Sequence, residues 1–252
     1  MSQPHASANI SVQQLAQQAL QQLQAVADPK VAAQAQVYFK AHEEVHFLGV
    51  NAPNVRQIER ALFQQIKGQW TLAEACAFSD VLLQDRRQEV KTVGILLLAR
   101  FHKSFVPELF DQFATWLGQN LCANWALTDA LSGYVIALLL RRCPELLPRL
   151  TVWTQAENLW VRRAAAVSLV PLARKGEHLE VAYDIATRLF PYPEDLIHKA
   201  VGWLLRDAGK TDPARLQTFL LKHGSRIPRT TLRYAIERFP ASERKRLLEL
   251  TR

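Results

Sequence analysis

The chain has 252 residues, 49% of them hydrophobic, enough apolar matter for one large core or a continuous repeat array. Thirty-one Lys and Arg against 23 Asp and Glu leave a formal charge of +8 and a pI near 9.6, which points to polyanionic partners, nucleic acid or an anionic membrane surface. No run of about 18 apolar residues exists to span a bilayer, and the start MSQPHASANIS lacks the basic and apolar regions of a secretory leader, so a cytoplasmic protein is expected.

Residues 1–11 are polar and are expected to be a flexible N-terminus. Residues 12–28 repeat Leu and Ala at three-to-four spacing between glutamines, the pattern of an amphipathic helix that caps one end of the fold and closes at Asp28-Pro29. From Val31 onward, helical segments alternate with breaks at Asn51 to Pro53, Lys67-Gly68, Pro107, Cys143-Pro144, Lys175-Gly176, Pro191 to Pro193, Thr211 to Pro213 and Gly224 to Pro228. No strand hairpin or βαβ pattern interrupts them, so the fold class is all-α. Ala130 to Leu140 is apolar almost all round and is expected to be a buried core helix, too short for a membrane. Cys76, Cys122 and Cys143 lie singly in apolar segments, as buried free thiols do.

An apolar residue followed by a basic one recurs near the start of a helix at Val55-Arg56, Val90-Lys91, Val161-Arg162, Ile197-His198-Lys199 and Leu232-Arg233, at intervals of 35, 71, 36 and 35 residues. The doubled interval leaves a place near 126, where Leu127-Thr128-Asp129 stands. Helices recurring every 35 residues or so, each with a partner between, imply a single domain over 1–252. It would be a superhelical solenoid of HEAT-like antiparallel helix pairs with a concave basic face; tetratricopeptide and ankyrin signatures are absent. Two residues past the apolar marker stand Gln57, Thr92, Asp129, Arg163 and Lys199. A bare carboxylate on that face repels phosphate, so Asp129 should meet a cation. That cation is either a ligand's or Arg163 of the next repeat; alternatively, Asp129 serves the N-terminal end of its own helix.

Trp125 and Asp129 are one helical turn apart and share a face, and Trp203 follows Lys199 by the same spacing. Aromatic faces beside charges suit stacking on sugars or bases. Trp70, Trp116 and Trp153 fit the core instead. The histidines His5, His42, His46, His102, His178, His198 and His223 form no HExxH motif, and His42 and His46 lack a third ligand, so no metal is expected. Gly-rich phosphate loops and GxSxG elbows are also absent.

Four segments together resemble the AlkD family of HEAT-like DNA alkylation-repair glycosylases: FLGVNAPNVR (47–56), NWALTD (124–129), LWVRRAA (159–165) and HKAVGWLLRDAGKT (198–211). The similarity covers roughly residues 30–240. It implies an alkylpurine DNA glycosylase that hydrolyses the N-glycosidic bond of cationic N3- and N7-alkylated purines in double-stranded DNA. Asp129 falls on the family's catalytic aspartate, Trp125 and Trp203 on its active-site tryptophans and Arg163 on its arginine, a backbone-phosphate contact. The basic face adds Arg162, Lys199, Arg56, Lys91 and Arg233 as DNA-binding residues. Neither metal nor organic cofactor is implied, nor an obligate protein partner, and a monomer without a deep base-flipping pocket is expected. Asn124 and Ala126 depart from members that carry an aromatic and an acid beside the first tryptophan.

Other readings remain open at this stage. A HEAT-like module that binds DNA without chemistry uses the same stripe, with Asp129 merely paired to Arg163. A protein-binding solenoid is less consistent with the basic repeat, and a membrane-surface role lacks a helix that joins a Lys/Arg-rich face to exposed aromatics.

Overall fold

The computed structural model describes residues 10–40 and 44–251. Among these the regular elements are all helical, beside one isolated β-bridge between His46 and Arg87. The all-α expectation holds. No helix among the described residues is long and apolar enough to cross a membrane. The chain divides into two compact units, one ending at Phe105 and the other beginning at Val106.

The first unit contains α1 (Val12–Ala25), α2 (Pro29–Gln36), α3 (Ala52–Ile66), α4 (Leu72–Leu83) and α5 (Gln88–Ala99). Ser11 and Gln14 cap α1 reciprocally, and the helix buries Leu15, Ala16, Ala19 and Leu23 in packing against α3 and α4. Asp28 caps α2, with Pro29 in the first turn, where a missing N–H costs nothing. The expected flexible terminus is corrected at its end: Ser11 is a cap, and the carbonyl of Ile10 accepts from Trp70 Nε1 at 3.1 Å. Residues 1–9 lie outside the described residues.

The segment from Phe47 to Arg56 is explained by its backbone. Glu89, buried on α5, accepts from the N–H groups of Leu48, Gly49 and Val50 at 2.9, 2.8 and 3.1 Å, three charge-assisted bonds that hold the loop. Gly49 has φ +87°, and a Cβ there would lie 1.9 Å from the carbonyl oxygen of Asp28, so a side chain is excluded on both counts. Asn51 then accepts from the N–H of Asn54 and starts α3.

The second unit runs through α6 (Leu109–Gly118), α7 (Trp125–Leu131), α8 (Ala137–Arg142), α9 (Leu150–Trp153), α10 (Leu159–Val167), α11 (Val170–Ala173), α12 (Leu179–Leu189), α13 (Asp195–Ala208), α14 (Pro213–His223), α15 (Arg229–Ala235) and α16 (Ala241–Leu250). A π-helical turn, Ser132–Ile136, joins α7 to α8. This is the segment expected to be wholly buried. Leu131, Val135, Ile136, Leu139 and Leu140 are, but the wider turn sets Tyr134 outward at 44% exposure.

The periodic markers Val55, Val90, Leu127, Val161, Ile197 and Leu232 fall on the third or fourth residue of α3, α5, α7, α10, α13 and α15, and every one is buried. Leu127 therefore occupies the vacant place in the period. Within the second unit α10 packs on both α7 and α13, and α13 packs on α15. Gly202 permits the last of these: a Cβ there would lie 2.4 Å from Cβ of Tyr234. Trp70, Trp116 and Trp153 are core residues, Trp153 stacking on Phe110 with ring centroids 4.4 Å apart. Cys76, Cys122 and Cys143 are buried thiols.

Candidate active site

The start of α7 is held from both sides of its first turn. Asn124 is the N-cap, its side-chain oxygen accepting from the N–H of Leu127 at 2.9 Å. Thr128, fully buried, donates to the Cys122 carbonyl at 2.8 Å. The asparagine before Trp125 is thus a helix-capping residue. Ala126 lines an open cleft of about 440 Å³, whose wall also holds Asp129, Gly133, Tyr134, Arg174 and Trp203.

Asp129 meets the cation that the charge argument required, and that cation is Arg163. Nε and Nη2 of the guanidinium donate to the two carboxylate oxygens at 2.8 Å each, a bidentate pair between α7 and α10. Nη1 donates to the carbonyl of Leu196 in the first turn of α13, so one side chain ties three helices. The two partners are buried unequally. Arg163 is 6% exposed, whereas Asp129 keeps 16% and faces the cleft. Burial pushes the Asp129 carboxyl up from its ordinary pKa, and hydrogen bonding and attraction from Arg163 pull the other way. The net direction is up because the carboxylate has lost most of its water and has one cation to replace it.

The structure gives both arginines partners inside the protein. Arg163 has all three nitrogens engaged inside the protein and braces Asp129. Arg162, 7% exposed, donates to the carbonyls of Ala156 and Glu157 at 2.7 Å each, pairs with Glu194 and stacks over the Tyr192 ring at 4.5 Å. Lys199 is half-exposed on α13 and pairs with Asp195 one turn earlier at 2.8 Å; hydrogen bonding to that carboxylate raises its pKa. Arg233 is exposed on α15. Arg56 is exposed on α3 and Lys91 half-buried on α5, both in the first unit.

Trp203 stands in the cleft wall with Asp129. Trp125, half-buried at the head of α7, is not among the residues that line it. His5 and His42, weighed as metal ligands, lie outside the described residues. A family model described as DNA alkylation repair enzyme matches residues 19–239. The chain belongs to that family. Membership makes it an enzyme of alkylation-damage repair, with DNA as its substrate.

No curated protein matches this repair enzyme. Among solved structures it is similar to a predicted DNA alkylation repair enzyme from Enterococcus faecalis, with TM-score 0.75 and 23% identity, over 85% of this chain and 97% of that one. At that identity the likeness speaks for the fold. The repair enzyme also carries cleft residues that sequence reasoning passed over. Tyr134 sits in a stretch whose periodicity read as core, and only the extra residue of the π turn rotates it outward. Arg174 stands just before the Lys175-Gly176 break, and nothing else in the sequence sets it apart from the other basic residues.

Proposed function

We propose that this enzyme hydrolyses the N-glycosidic bond of cationic N3- and N7-alkylated purines in duplex DNA, and that Asp129 is the group on which the chemistry depends. The observation that carries the reading is a carboxylate fixed by two equal hydrogen bonds in the wall of an open cleft that Trp203 also lines. An alkylated purine already carries positive charge and departs as a neutral base. The charge that remains develops on the deoxyribose, and water completes the reaction by adding to the sugar carbon and releasing a proton. A carboxylate near the sugar favours that charge distribution over the ground state. Two unit charges about 4 Å apart attract by about 4 kcal/mol at an effective dielectric of about 20, before desolvation is subtracted. Arg163 reduces the net charge but keeps the carboxylate ionised and aimed. Trp203, in the wall of the same cleft, would offer a π face to that cation, and Trp125, at the head of the helix, belongs to the proposed set through its place one turn before Asp129.

One observation favours a second reading, a DNA-binding module without chemistry: Asp129 and Arg163 satisfy each other, as a purely structural pair would. Single-turnover release of 7-methylguanine and 3-methyladenine from methylated duplex separates the two. Wild type should release base, and Asp129→Asn should be slower by about 10²-fold or more while still binding DNA. Wild-type release no faster than spontaneous loss would leave the binding module as the account of these residues.

A further inference from the structure

Beside Asp129 in the cleft wall is a cation with no part in the proposed chemistry. Arg174 follows α11, and its side chain is 51% exposed. Behind it, Asp207 on α13 is 1% exposed and accepts from Nε and Nη2 of Arg174 at 3.3 and 3.4 Å. Those two long bonds use one edge of the guanidinium of a residue that also lines the cleft. Asp207 is also paired with Lys210, one turn further along, whose side chain is 25% exposed. Burial alone would raise the Asp207 pKa, but hydrogen bonds from Lys210 and Arg174 overcome it and the carboxyl sits below its ordinary value. The acid is therefore ionised at neutral pH and still outnumbered by two cations.

Arg174 differs in exposure from the two arginines of α10. Arg162 and Arg163 are buried with their donors turned inward. Arg174 is anchored from behind and open in front. We infer that Arg174, aligned by the buried Asp207 and seconded by Lys210, binds a phosphodiester of the DNA strand that lies across the cleft, next to the sugar that Asp129 faces. A guanidinium fork suits a phosphate's paired oxygens, and holding one edge in advance lowers the cost of ordering the side chain on binding. Arg174 and Asp129 line the same cleft, so a phosphate held by the first would register the strand for the second. Arg174 touches the strand and Asp207 is a positioning residue.

The inference rests on the reading of the cleft as a DNA site, so its test begins with binding of unmodified duplex by the full chain across a salt series, which needs no base release. Arg174→Ala should weaken binding about 10-fold and lower the slope of log K against log salt by about 0.9. Arg174→Lys should recover the slope but only part of the affinity, because an ammonium keeps the charge and loses the fork. Unchanged affinity and salt slope in Arg174→Ala would overturn the inference and leave Arg174 as a link between α11 and α13. That result is separable from failure of the glycosylase reading, which appears as absent base release in wild type whatever the salt series gives.

Discussion

Each unit holds a bidentate arginine–carboxylate pair with the same bond lengths and the opposite orientation. In the first, Arg100 of the turn after α5 donates from Nε and Nη2 to Glu59 of α3 at 2.8 Å each; in the second, Arg163 does the same to Asp129. Glu59 is 3% exposed and Arg100 41%, whereas Asp129 is 16% exposed and Arg163 6%. The first pair turns its cation to solvent and seals its anion. The second seals its cation and turns its anion to a cleft. One interaction thus serves two ends, and what differs is the partner left in contact with water and ligand. Keeping an anion in contact with the cleft of a protein of charge +8 makes sense where a cation has to be met, as at a sugar losing its base.

Removing a partner costs most when the one left behind cannot reach water. Asp129→Ala, which strands the buried Arg163, should destabilise by about 3–5 kcal/mol, and Glu59→Ala, which strands the half-exposed Arg100, by about 1–2 kcal/mol. The order should reverse when the arginine is removed, with Arg100→Leu more damaging than Arg163→Leu. Denaturant unfolding of the four full-length variants checks this, and the same ranking for both kinds of deletion would break the contrast.

A smaller effect is read from pH. Burial raises the Asp129 pKa, so the carboxylate gains a proton, and loses its charge, at a higher pH than an ordinary aspartate would. Base release should fall about tenfold per unit of pH below that raised value, after subtraction of spontaneous depurination. Arg163→Met should move the acidic limb to higher pH because it removes the opposing charge, and Asp129→Asn should show no such limb. The sign for stability is the reverse. A carboxyl whose folded pKa is raised contributes stability below its unfolded pKa and loses it as pH rises through the folded value, so the acid that silences the site does not unfold the protein through this group. Smallest of all are the effects expected at the first unit's surface cations. Arg56→Ala and Lys91→Ala should each lower the salt slope of DNA binding by about 0.9 without altering base preference. A changed preference at unchanged affinity would remove both from the phosphate-binding set.

Amino-acid order alone determined the helices and their period. An apolar residue one turn into a helix is buried wherever that helix packs, so Val55, Val90, Leu127, Val161, Ile197 and Leu232 could be placed in the core from spacing, and Asp129 beside them on one turn. The large indoles of Trp70, Trp116 and Trp153 were legible for the same reason. Tertiary structure alone decided which way the charges point. Arg162 and Arg163 are neighbours in sequence with the same side chain, yet their partners, Glu194 and Asp129, lie 32 residues ahead and 34 behind. Nothing local distinguishes a guanidinium that braces a carboxylate from one that waits for phosphate. The π turn that brings Tyr134 into the cleft, and the Asp207 that aims Arg174, are likewise products of packing. Helix periodicity is a property of a few consecutive residues. The direction of a long side chain is set by whatever the rest of the fold places within its reach.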